Sequence, residues 1–308
     1  MVGVSRSQEV EESSRSSRGQ FGVSSALFRI YIAFVLLMLY FPFVIMAVLS
    51  FQGPRGGHTF PLKGVSSWWW WKLFHSGQST EFSDVGEFLG DYLGALGRSL
   101  VLAIAVAILA TVMALLAAHA FRKPFRGSNA VFYLWLLGII VPGITVSLGL
   151  FLVLNRLGIT PNWKTSALGV HVMWTLPFCL IIFLMAFNRF DLNLEDAALV
   201  FGANPLQAYW YVTLPVIQPF LLSSLLFGFT LSLDEFQRSL LLTGTTLETQ
   251  TLPVMIMASV TTRITPTLYA LGTLTTLLSF VVIALYIFFL IRAERRTRTI
   301  QFLDVSEE

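Results

Sequence analysis

The chain alternates long apolar stretches with short polar ones. Crossing a bilayer takes about 20 largely apolar residues in a helix. Six stretches meet that length, near residues 26–50, 99–121, 130–154, 166–187, 215–233 and 267–291. Pro42 lies inside the first, Pro142 and Gly143 interrupt the third, and Pro177 interrupts the fourth. Such breaks are tolerated where neighbouring helices re-satisfy the backbone; a pathway and a kink without function both fit them. The pattern predicts an all-α integral membrane bundle of six transmembrane helices.

Residues 1–20 are polar and serine-rich, which predicts a disordered tail. The apolar run after them is too long for a signal peptide and lacks a clear small-residue cleavage site. The membrane domain is expected over residues 21–295 and a second tail over 296–308. The long segment 51–93 opens with turn material, Gly53, Pro54, Gly56 and Gly57. It continues into Trp68, Trp69, Trp70 and Trp71, which are expected to form an interfacial belt.

Composition supports lipid as the main solvent. Of 308 residues, 55% are hydrophobic and 12% charged, against about 25% charged in an average soluble domain. Mean hydropathy is +0.73. This balance argues against a soluble enzyme, a nucleic-acid-binding module and a disulfide framework. Cys179 is the single cysteine, so no intrachain disulfide is possible.

The net charge of +3 matters less than where the charges lie. Arg6, Arg15 and Arg18 precede the first stretch and Arg29 lies at its start. Arg122, Lys123 and Arg126 follow the second, and Arg189 follows the fourth. Arg292, Arg295, Arg296 and Arg298 follow the last. Twelve of the 20 basic residues thus fall on one side. The positive-inside rule makes that side cytoplasmic and puts both termini there.

Between the fourth and fifth stretches lies FDLNLEDAALVFGANPLQAYWYVTLP, residues 190–215. Leu192 to Phe201 has helix-forming composition. Gly202 suits a left-handed helix stop. Asn204 suits an N-cap and Pro205 the first helical position of a second helix, Leu206 to Thr213. Leu206, Tyr209 and Trp210 would share one face. An amphipathic helix on the membrane and a docking knob for a cytoplasmic partner fit these signals equally.

Asp196-Ala197-Ala198, then Gly202, then Leu214-Pro215 resembles the EAA loop of ABC-importer permeases. Asp196 stands where the family usually has Glu, with Glu195 just before it. The stretch LSLDEFQRSLLLTG, residues 231–244, followed by Thr251-Leu252-Pro253, resembles the polyamine branch, in particular the second permease of spermidine/putrescine importers. Permeases for aminoethylphosphonate and opines are similar there. The resemblance implies a type I importer permease fold with a cytoplasmic helix-turn-helix coupling loop, in a bacterial inner membrane. It implies an ATP-binding subunit dimer, a second and different permease, and an extracytoplasmic solute-binding protein as partners. The coupling residues would be Glu195, Asp196, Ala197, Ala198, Gly202, Asn204, Pro205, Leu214 and Pro215, with residues 191–212 seated in a groove of the ATPase. ATP and Mg would bind to that partner, since this chain has no G-x-x-x-x-G-K-[ST] loop.

Asp234 and Glu235 end the fifth stretch. Carboxylates near lipid are costly and count as functional candidates. For a polyamine they would supply counter-charges, and Phe236 or Trp174 cation–π contact. A simple span boundary, or an ion pair with Arg238, explains them as well. His58, His75, His119 and His171 are scattered and form no metal motif. Asn155, Arg156 and Arg263 read as outer-loop residues. A membrane-embedded enzyme would need a convergent polar set within the bundle, and none is evident. A gradient-driven transporter would be supported by inverted repeats, and none is visible.

Overall fold

The computed structural model describes the backbone of residues 4–305 except 58, 76–90, 124, 245, 247 and 263, and side chains within 27–292. His58 and Arg263 therefore lie outside the described residues. The helices are α1 (Val4–Leu49), α2 (Trp68–Phe74), α3 (Tyr92–Phe121), α4 (Ser128–Ile140), α5 (Gly143–Arg156), α6 (Leu168–Asn188), α7 (Asn193–Val200), α8 (Pro205–Ala208), α9 (Leu214–Leu233), α10 (Leu252–Thr262) and α11 (Pro266–Val305). Short π-helical turns, Trp163–Ala167 and Tyr209–Thr213, lead into α6 and α9.

Helix α1 begins at Val4, inside the segment expected to be a disordered tail. A helix nucleated in the apolar stretch extends at little cost per residue, because nucleation is the unfavourable step. Helix α11 likewise runs on through the second tail to Val305.

The core is the packing of α3, α6 and α9. Ala103, Ala107, Ala110, Ala114 and Ala118 give α3 a fully or nearly fully buried stripe of small residues. Gly228 of α9 sits against it: a Cβ there would lie 3.3 Å from the Ala107 Cα and 3.3 Å from the Thr175 Cγ2. Small residues allow the close backbone approach that drives helix association in lipid. Thr111 and Ser224 hydrogen-bond across the same contact at 3.0 Å. The periphery is apolar, with Phe34, Leu37, Phe280 and Phe288 exposed on α1 and α11. That suits a lipid surround.

The third expected span is broken. Helices α4 and α5 meet at Val141-Pro142 with a bend of 98°. At 1.5 Å per residue neither half reaches the roughly 30 Å of a bilayer core. Helices α3 and α6 both end beside the Arg122 guanidinium, which lies 5.0 Å from the Phe187 ring centre. The chain must therefore regain the opposite end before α6, and α4 and α5 together make that passage. Among the described residues five helices are long and apolar enough to cross singly, and six passages result when the bent pair counts as one.

The four tryptophans divide their roles. Trp69 is buried, and Trp70 donates its indole N–H to Ser50 at 3.1 Å. Trp68 and Trp71 are exposed. Half of the expected belt is thus turned inward, with Trp70 against the residues that follow α1. A run on a helix spreads around its axis, so one face is covered and the other is not.

Candidate functional site

Two sites emerge, a knob at one end of the bundle and a cavity nearer the other. The knob is built as its sequence dictates. Helix α7 stops at a turn where Gly202 takes φ +90°, a left-handed conformation that costs other residues energy. Asn204 then caps α8 through a reciprocal pair: its side chain accepts from the Gln207 N–H at 2.8 Å, and the Gln207 side chain accepts from the Asn204 N–H at 2.9 Å. Pro205 occupies the first turn, where its missing N–H is harmless.

The second helix does not end before the fifth span. It widens into the turn Tyr209–Thr213, where the Leu214 N–H reaches back five residues to the Tyr209 carbonyl. Pro215 follows directly. Its ring and missing N–H cannot be accommodated in regular α geometry, which accounts for a wide turn there. Residues Pro205–Leu233 thereby form one continuous rod.

Glu195 and Asp196 separate in role. Glu195 points back into the protein, accepting from Arg122 Nη1 at 2.8 Å and Nη2 at 2.7 Å. The Thr213 hydroxyl also donates to it. The Arg122 guanidinium beside it holds the Glu195 carboxyl below its ordinary range, against the opposing effect of burial. Asp196 is exposed on the first turn of α7. Ala197 is exposed and Ala198 partly covered. Leu214 packs under the knob with Ala186, Phe190 and Ile217, while Pro215 is exposed. The rim of the knob is apolar, with Phe201 92%, Val200 85% and Tyr211 79% exposed. Leu206 and Trp210 are exposed and Tyr209 half-buried, its ring edge-on to His119 at 5.4 Å.

The cavity lies at the break between α4 and α5. About 470 Å³ in volume, it is lined by Val141, Pro142, Gly143, Trp174 and the run Asp234–Arg238. All four candidate substrate-path residues, Asp234, Glu235, Phe236 and Trp174, line it. Of the readings the sequence left open, the ion pair with Arg238 holds for Glu235 and not for Asp234. Glu235 pairs with Arg238 at 2.9 Å, and both side chains are largely buried. The Arg238 guanidinium lies 3.8 Å from the Trp174 ring centre. Asp234 is exposed and has no ion-pair partner among the described residues.

Beneath this run, His171 is buried between Ser232 and Ser239, at 2.8 Å from Nδ1 and 2.9 Å from Nε2. Nothing in the spacing of His171 along the chain announced this bridge. The Ser147 hydroxyl reaches across from α5 to the Gln237 carbonyl at 3.0 Å. Asn155 and Arg156 close the far end of α5.

A family described as the binding-protein-dependent transport system inner membrane component matches residues 110–299. The chain belongs to that family. The matched stretch contains both the knob and the cavity. The putrescine transport system permease protein PotI of Escherichia coli is 30% identical over 246 residues, covering 77% of this chain and 80% of that protein. The spermidine/putrescine transport system permease protein PotC of Haemophilus influenzae is 29% identical over 248 residues, covering 80% and 90%. In structure, the chain resembles a bacterial ABC transporter involved in the import of the acidic polysaccharide alginate. The TM-score is 0.59 at 15% identity, over 91% of this chain and 95% of that one. The permease therefore has the type I importer fold and is a multi-pass inner-membrane transport subunit, not an enzyme. Its place is in an ABC importer, with ATPase and binding-protein partners.

Proposed function

We propose that this permease carries an aliphatic polyamine such as putrescine or spermidine through its α4–α5 cavity into the cytoplasm, by alternating access. The observation that carries the reading is Asp234, an exposed carboxylate with no ion-pair partner among the described residues, in a cavity at a broken span. Asp234, Glu235 and Arg238 together leave that cavity one formal negative charge. A phosphonate would meet no available cation there, because Arg238 is already engaged by Glu235. The names of the similar permeases point the same way.

The knob end is proposed to face the cytoplasm, with both termini, as the clustering of basic residues at that end supports. There Asp196 and the apolar rim Val200, Phe201 and Tyr211 would seat on one subunit of an ATPase dimer, and a second, different permease would complete the pore. Closure of the ATPase dimer would move the knob, and with it the continuous rod of Pro205–Leu233. The ATPase, not this chain, would bind ATP and Mg.

Uptake of radiolabelled putrescine by cells carrying the complete importer tests the substrate assignment. Asp234→Asn is expected to raise the KM about tenfold at unchanged membrane level, the loss of one ion pair in a partly desolvated site. Unchanged kinetics would remove Asp234 from the path.

A further inference from the structure

The cavity already contains a cation of its own. The Arg238 guanidinium lies over Trp174 at 3.8 Å and donates to Glu235 Oε2 at 2.9 Å. The Arg238 backbone N–H donates to the other oxygen, Oε1, at 2.9 Å. The residue is only 4% exposed. On its remaining side is Gly143, where a Cβ would come within 2.8 Å of Nη1. An aromatic face, a carboxylate and a glycine-cleared wall thus surround one positive group. An alkylammonium would be held by the same ring and the same carboxylate.

We propose that Arg238 is a displaceable internal counterion: it fills the Trp174–Glu235 cation site when the path is empty and withdraws when a dication brings a second ammonium. The inference rests on the reading that solute passes through this cavity. Asp234, exposed and unpaired among the described residues, takes the first ammonium with Arg238 in place. The second ammonium reaches Glu235 and Trp174 only if Arg238 leaves them. Its guanidinium is carried on a long flexible stem from a turn beyond α9, so it can swing without unwinding a helix.

The charge count gives the device a purpose. Empty, the three charged residues sum to one negative charge. A monoamine neutralises it and requires no displacement. With Arg238 withdrawn, a diamine neutralises Asp234 and Glu235; the return of Arg238 makes the cavity net positive, competes the solute off Glu235 and favours its release.

The test is equilibrium binding of radiolabelled putrescine to the purified, assembled importer, without binding protein, with n-butylamine as the monocation control. Arg238→Gln is expected to tighten putrescine binding about tenfold at one equivalent per importer, as for removal of a competing cation, and to give n-butylamine a second equivalent, because Glu235 and Trp174 are then open to a separate monocation. The double variant Glu235→Gln/Arg238→Gln is expected to lose that gain. Putrescine binding that is unchanged or weaker in Arg238→Gln, while Asp234→Asn weakens it, overturns the counterion role and leaves the substrate path standing. Unchanged binding in Asp234→Asn instead overturns the path itself. If Arg238→Gln fails to assemble, Arg238→Lys keeps the charge but loses the planar stack. It is expected to tighten putrescine binding more weakly, and no tightening counts against the proposal.

Discussion

Arg122, just past the end of α3, and Glu195, in the first turn of α7, are joined by two parallel hydrogen bonds of 2.8 and 2.7 Å. The guanidinium also lies over two aromatic rings, 5.0 Å from the centre of Phe187 and 5.4 Å from that of Phe190. Thr213, at the foot of α9, donates to the same carboxylate. One carboxylate therefore ties the knob to two of the three core helices. Fork-to-fork geometry fixes orientation as well as distance. The pair is partly solvated, with side chains 13% and 22% exposed. Its contribution is put at roughly 1–3 kcal/mol, the range for hydrogen bonds to charged groups.

This clamp makes Glu195 a transmission element. Glu195→Ala is expected to lower ATP-driven uptake about tenfold while the partner ATPase stays active, because the knob moves without carrying α3. Comparing uptake with ATP hydrolysis in proteoliposomes reads the ratio. The exchange Arg122→Glu/Glu195→Arg should restore part of the coupling. Loss of both activities in equal proportion would reduce the pair to a folding role.

Glu195 also sets a pH dependence. Its carboxyl is held below the ordinary value of 4.5, chiefly by the hydrogen bonds from Arg122. A depressed carboxyl stabilises the fold above its unfolded value, and that contribution is lost as pH falls through the folded value. Amide protection over Asn193–Thr213, taken relative to the intrinsic exchange rate at each pH, should therefore fall from about pH 4.5 downward. In Glu195→Gln the acid-induced change should disappear. An identical acid profile in that variant would assign the transition to another group.

Gly202 separates strain from contact. A Cβ there meets no atom within 4 Å, yet φ is +90°. Any side chain costs about 1–2 kcal/mol of backbone energy without clashing inside the chain. Gly202→Asp should insert normally and abolish uptake, since it alters the turn that sets the two knob helices. Immunoblotting of membranes alongside uptake decides it. Wild-type uptake at normal level would dismiss the coupling role of this turn.

The parts legible in the sequence were those that local chemistry dictates. Gly202, Asn204 and Pro205 lie within four residues, and each has a backbone preference strong enough to place a stop, a cap and a start. The six apolar stretches were legible because lipid demands uninterrupted length. What stayed hidden was set by partners distant in sequence. Glu195 was a spare acid beside Asp196 until Arg122, far along the chain, turned it inward. Pro142 and Gly143 signalled a break, but only packing fixed a 98° bend that opens a cavity. Trp174 offered a free aromatic face on paper. Arg238, on another element, occupies it.

His171 supplies the last prediction, because its proton can be placed from its neighbours. The Ser239 hydroxyl donates to the Glu235 carbonyl at 2.7 Å, which uses its single proton. Ser239 can then only accept from His171, so Nε2 carries the hydrogen and Nδ1 accepts from the Ser232 hydroxyl. The imidazole is 1% exposed and links α6 to both ends of the Asp234–Arg238 run. His171→Ala removes both bonds and leaves a cavity, a loss of roughly 2–4 kcal/mol. Ser232→Ala removes one bond, about 1 kcal/mol. Thermal unfolding in detergent should rank wild type above Ser232→Ala above His171→Ala. The KM for putrescine should rise in the same order as the run loosens. A His171→Ala protein with wild-type unfolding temperature and wild-type KM would show that the bridge positions nothing.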